Sequence, residues 1–198
     1  MTRIKGITKK DAGPLLKAVY WFARREFGAV PEPVTVMAHH PKLLMASARH
    51  ELAVKKAVHG PLFELCVYRT AVKLGCSWCV DFGAMLMKHG GLDVERLKHI
   101  DSYATSPLFT DLERKALAYA DAMTETPVAV TGEQVAELEK LLGRKELVAL
   151  TYQIALENQR ARFNSAFDIK DQGFTSGDAC RVPPAQPPGS RTPAEPGR

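Results

Sequence analysis

The sequence lacks long apolar runs. The longest, Ala18 to Ala23, has six residues, against roughly 20 for a bilayer span and 7–15 for the core of a secretory leader. It is poor in isoleucine, with 5 Ile and 15 Val against 25 Ala and 20 Leu, and no stretch alternates apolar and polar residues with period two. That excludes a sheet protein and predicts an all-α fold. Cysteine is also scarce: four in 198 residues are too few and too unevenly placed for a disulfide scaffold. Together these absences predict a soluble, cytoplasmic chain with no membrane partner. Basic charge is present but local. Residues 1–27 hold seven basic and two acidic groups, which accounts for the whole net charge of +5 and argues against a broad nucleic-acid surface.

What is present is a series of helix signals. Leu16, Val19, Tyr20, Ala23 and Phe27 recur with helical period between Pro14 and Phe27, with Gly28 as the stop and Lys17, Arg24 and Arg25 on the outer face. Three prolines then leave room for a short helix around Val34–Ala38 and a longer one from Lys42 to Val58. His39 and His40, just before Pro41, are placed for a cap or turn, because neighbouring positions on a helix diverge by about 100° and chelate poorly. Pro61–Leu74 reads as a helix with a narrow buried stripe of Phe63, Cys66, Val67, Thr70 and Leu74. After Gly75 another helix starts at the cysteine pair and runs to Lys88, closed by Gly90-Gly91. A short helix is expected over Asp93–Ile100. Thr110-x-x-Glu113 and Thr131-x-x-Gln134 fit the capping box. The last helix starts after Gly143, turns Leu147, Leu150, Thr151, Ile154, Ala155 and Asn158 inward, and reaches Ile169. Residues 1–175 are thus expected to form one helical domain with its motif core at about 61–100. Residues 176–198 form a tail; from Val182 on, six of 17 residues are Pro, a composition that predicts disorder.

Cys76-Ser77-Trp78-Cys79 is the sharpest motif. At a helix start, two cysteines three residues apart reach one disulfide, and the free N–H groups with the positive end of the helix dipole favour a thiolate. Such a pair can cycle between dithiol and disulfide. Other readings of the same residues are a zinc site, for which Cys66, Cys180 and His89 offer no partner spacing, two inert buried thiols, a thioredoxin-type motif, which needs a preceding strand, and an iron–sulfur site, which needs more thiolates. Cys66 itself lies on the buried stripe and reads as packing. Glu64 borders that stripe, with Tyr68 one turn on; a glutamate there is either a solvated charge or a proton relay.

Glu64, eleven residues, then Cys76-Ser-Trp-Cys-Val-Asp81 resembles the signature of the carboxymuconolactone decarboxylase and AhpD-like alkylhydroperoxidase superfamily. Asp101–Arg114, Ala118–Met123 and Ala155–Asn164 are also similar to members of it, so the likeness spans roughly residues 12–175. It implies an AhpD-like helical bundle that assembles as a homo-oligomer, dimer or trimer, with no cofactor and no metal. In peroxidase members one cysteine attacks a hydroperoxide, the other closes a disulfide and a dithiol reductant reopens it. Carried over, Cys79 is the attacking residue, Cys76 its resolving partner and Glu64 the relay, although proximity to the helix start favours Cys76 as the more acidic thiol. Two histidines of the pattern are missing: Trp78 stands between the cysteines and Gly83 four residues after the second. Neither moves a proton, so Tyr68 and Asp81 are left as relay or supporting residues and Trp78 as a supporting one.

The resulting expectation is a thiol-dependent peroxidase or disulfide oxidoreductase acting on a hydroperoxide or disulfide with a dithiol reductant. Two further readings belong to other classes: a non-enzymatic redox-responsive oligomer, and a cofactor-independent decarboxylase or lyase.

Overall fold

A computed structural model describes residues 2–93 and 95–175; the proline-rich tail and Cys180 lie outside the described residues. All regular elements among the described residues are helical: α1 (Pro14–Phe27), α2 (Glu32–Met37), α3 (Pro41–Ala57), α4 (Pro61–Lys73), α5 (Ser77–His89), a 3-10 helix (Glu95–Ser102), α6 (Asp111–Thr124), α7 (Gly132–Leu142) and α8 (Arg144–Ala166). None is long and apolar enough to cross a membrane.

The local signals explain most of these bounds. Gly28 ends α1 in the left-handed region, φ 77°, where a side chain would be strained. His40 caps α3, its Nδ1 accepting the Leu43 N–H at 3.1 Å. Thr110 and Thr131 each close a capping box with Glu113 and Gln134, satisfying N–H groups that the helix itself leaves open.

Three expectations shift. α2 starts earlier than Val34, because Pro33 fits the first helical turn, where its missing N–H costs nothing. The segment expected at Asp93–Ile100 is a 3-10 helix over Glu95–Ser102. α8 stops at Ala166 rather than Ile169: Asp168 turns to φ 55°, and Arg3 donates to the last carbonyls, to Ala166 O at 2.8 Å. Ile169 is nonetheless buried, whereas Ala155, expected inward, is exposed.

α4 is the central helix, packed against α5, α6 and α8. Its buried face is correspondingly broader than a stripe: Leu65, Cys66, Tyr68, Thr70 and Ala71 are all buried, while Phe63, Val67 and Leu74 are only partly so. Around it Ala116, Leu117, Ala120, Leu150, Ile154 and Ala161 are wholly excluded from water. One apolar core therefore closes within a single chain. Cys66 is a free thiol inside it, and burial, with smaller help from Glu113 and Asp121, pushes its pKa far up. That makes it inert packing.

Candidate active site

The corner Leu74-Gly75-Cys76 joins α4 to α5 and fixes the first turn of α5. Cys76 is the N-cap of α5: its sulfur accepts the backbone N–H of Cys79 at 3.3 Å. The two sulfurs are bonded to each other, with Cα atoms 5.3 Å apart. Both residues are buried, Cys76 to 3% and Cys79 to 7% exposure, and both sit where the open N–H groups of a helix favour negative charge.

α8 reaches the pair from the other side. The side-chain amide of Asn164 lies 3.4 Å from the Cys79 sulfur and 3.6 Å from the Cys76 sulfur. Asn164 closes the Ala155–Asn164 stretch that carried part of the family likeness, but nothing in its spacing connects it to cysteines 85 and 88 positions earlier.

A strap formed by residues 171–175 covers the outer side of α5. Asp81, whose place in the chain made it a relay candidate, spends its carboxylate here: it accepts the N–H groups of Gln172, Phe174 and Thr175 and the Thr175 hydroxyl, at 2.8–3.1 Å. Ser77 Oγ accepts the N–H of Asp171. Trp78 donates its indole N–H to Gln172 Oε1 at 2.8 Å and stacks on Phe82, ring centres 4.7 Å apart. Phe82 in turn meets Phe27 and Phe174 edge-on. Trp78 and Asp81 thus both tie α5 to this strap. Gln172 had no signal in the sequence.

Glu64 and Tyr68 lie on α4, and the structure separates them by environment. Tyr68 is buried, its ring 3.8 Å from where a Cβ on Gly83 would stand. Glu64, in the first turn of α4, is exposed, yet partial desolvation still raises its pKa above the usual carboxylate value. At 1.5 Å per residue, in an antiparallel pair hinged at Gly75, Tyr68 is level with Gly83, about 6 Å above Cys79, and Glu64 about 6 Å higher again. Along the pair, the Tyr68 position thus falls between those of Glu64 and the cysteines. Among the described residues no group of three His, Cys, Asp or Glu side chains converges at metal-binding distance.

No family model matches the chain. An uncharacterized Escherichia coli K12 protein, YnjA, is 33% identical over 172 residues, covering 85% of this chain and 92% of that one. The alkyl hydroperoxide reductase Rv2159c of Mycobacterium tuberculosis is 32% identical over 94 residues, 46% of this chain and 27% of the relative. Among solved structures, the debrominase Bmp8 in complex with 2,3,4-tribromopyrrole superposes with a TM-score of 0.76 at 20% identity, covering 89% of this chain and 95% of that one. The AhpD core of a peroxidase-related protein from Ralstonia eutropha JMP134 superposes with a TM-score of 0.70 at 15% identity, covering 87% and 94%.

Proposed function

The chain belongs to the AhpD-like and carboxymuconolactone decarboxylase-like superfamily, and from that premise we propose that it is a thiol-dependent peroxidase or disulfide oxidoreductase working through Cys76 and Cys79. The observation that carries this reading is the bonded sulfur pair at the buried N-terminus of α5. Inert structural cysteines need no such setting, whereas a reversible disulfide needs a thiolate that the helix end favours.

In the proposed cycle the Cys79 thiolate attacks the distal oxygen of a hydroperoxide. The O–O bond breaks, the alkoxide takes a proton and leaves as an alcohol, and Cys79 is left as sulfenic acid. The Cys76 thiol then displaces water and closes the disulfide, and a dithiol reductant restores both thiols, becoming a disulfide itself. Glu64 is proposed to accept the proton of the Cys79 thiol and pass it to the leaving alkoxide, with the Tyr68 phenol as the intermediate group, since Trp78 and Gly83 leave no imidazole there. The setting proposed is the cytoplasm, as a homo-oligomer.

Stopped-flow consumption of cumene hydroperoxide by the reduced protein tests this. Loss of the fast phase in Cys79→Ser is expected; equal rates in Cys76→Ser, Cys79→Ser and the parent overturn it. A second reading, a redox-responsive oligomer without turnover, is favoured by the same missing histidines. Sustained turnover with dithiothreitol excludes it.

A further inference from the structure

We propose that Asn164 is the positioning residue that tunes the cysteine pair, by holding a buried amide donor where a thiolate forms on reduction. This deepens the redox reading above and rests on the pair being reducible.

The geometry is specific. Asn164 is 2% exposed, three residues beyond the fully buried Ala161 on α8, so its side chain has little freedom to leave. Its backbone carbonyl accepts the Ile169 N–H at 2.9 Å, fixing the last turn of the helix. Its Nδ2 carries two hydrogens and faces two sulfurs, at 3.4 and 3.6 Å.

A buried amide N–H without a good acceptor is costly, and a disulfide sulfur is a weak acceptor. Reduction adds two electrons and one proton, giving one thiol and one thiolate. The thiolate is an ionised acceptor, and hydrogen bonds to ionised groups are shorter and roughly twice as strong as neutral ones. Asn164 therefore stabilises the reduced, ionised pair more than the disulfide. It does by fixed dipole part of what a nearby imidazolium does by charge, without moving a proton. Cys79, proposed above as the attacking residue, receives the shorter of the two contacts.

The test is the pH dependence of iodoacetamide alkylation of Cys79, measured in a Cys76→Ser background, together with the disulfide's potential against a dithiothreitol buffer in the otherwise unaltered chain. Asn164→Leu removes the donor at similar volume; Asn164→Asp keeps the shape and replaces the donor with an acceptor. We expect the Cys79 pKa to rise by about one unit in Asn164→Leu, a tenfold loss of thiolate below the pKa, and further in Asn164→Asp. The same tenfold change lowers the potential by about 30 mV. An alkylation profile and potential unchanged in both variants overturn the inference, even where thermal stability falls, and Asn164→Asp alone decides it where Asn164→Leu does not fold. Wild-type chain that fails to consume hydroperoxide, while its Cys79 pKa still depends on Asn164, overturns the peroxidase reading and leaves this one standing.

Discussion

The carboxylate of Asp81 accepts both the backbone N–H and the hydroxyl of Thr175, at 3.0 and 2.8 Å, across 94 positions of sequence. Two more N–H groups of the strap complete its coordination. A buried anion with four donors is stable only while all of them are present, because an ionised group that loses its partners bears the full cost of desolvation.

Asp81→Ala should accordingly release residues 171–175 and destabilise the protein by about 3 kcal/mol, the scale of a lost charged hydrogen-bond network. Denaturant melts give the magnitude. Hydrogen exchange at the amides of Gln172, Phe174 and Thr175 gives the location, and continued protection there contradicts the assignment.

Gly83 stands where the family pattern carries a histidine, and a Cβ there would meet only the Tyr68 ring at ordinary contact distance, 3.8 Å. Gly83→Ala should stabilise α5 by up to about 1 kcal/mol, from helix propensity alone. Gly83→His returns a titratable group one turn beyond Cys79. Peroxide consumption should rise by up to about 10² over the parent, read in the same stopped-flow assay, and a rate no higher than that of Gly83→Ala counts against a missing relay.

Glu64 has a raised pKa and must be ionised to accept a proton. Activity that uses it is present above that pKa and fades as pH falls through it. Glu64→Gln should lower the rate by roughly 10²–10⁴ and remove the acid limb of the pH–rate profile. An unchanged limb assigns the proton to another group.

Glu157, on α8, is 3% exposed, and burial raises its pKa to about 7 against the opposing pull of Arg160, which also pairs with Glu51 of α3. Its folded pKa exceeds the unfolded value of 4.5, so the folded state holds the extra proton. The stability it contributes is full below about pH 4.5 and is lost as pH rises through 7. Glu157→Gln should flatten that fall, gaining on the order of 2 kcal/mol over the parent between pH 5 and 8. Melting temperatures across that range read it directly; parallel curves for the two proteins refute it.

Local signals made the helices legible. The prolines, the capping threonines, His40 and the glycines each act within four or five residues, and each is found where its chemistry requires. Cys76 and Cys79 were legible for the same reason, since their reach is one helical turn. The narrow stripe on α4 was too modest because periodicity reports one buried face, and α4 is covered by three neighbouring helices. Asn164, Gln172 and the role of Asp81 were not legible. Their partners lie 85 to 94 residues away, and nothing in a helical repeat specifies which distant loop a carboxylate or amide will meet.

Those separations also set an order of assembly. α4 and α5 are adjacent in sequence and can pair as soon as both have been synthesised, but the amide that faces the sulfurs and the strap that shields the indole arrive only with residues 164 to 175. Contacts of such long sequence separation form slowly. During synthesis the two thiols therefore spend an interval on a helix whose far wall does not yet exist, and a chain truncated before Asn164 carries the whole cysteine motif without the surroundings that govern it.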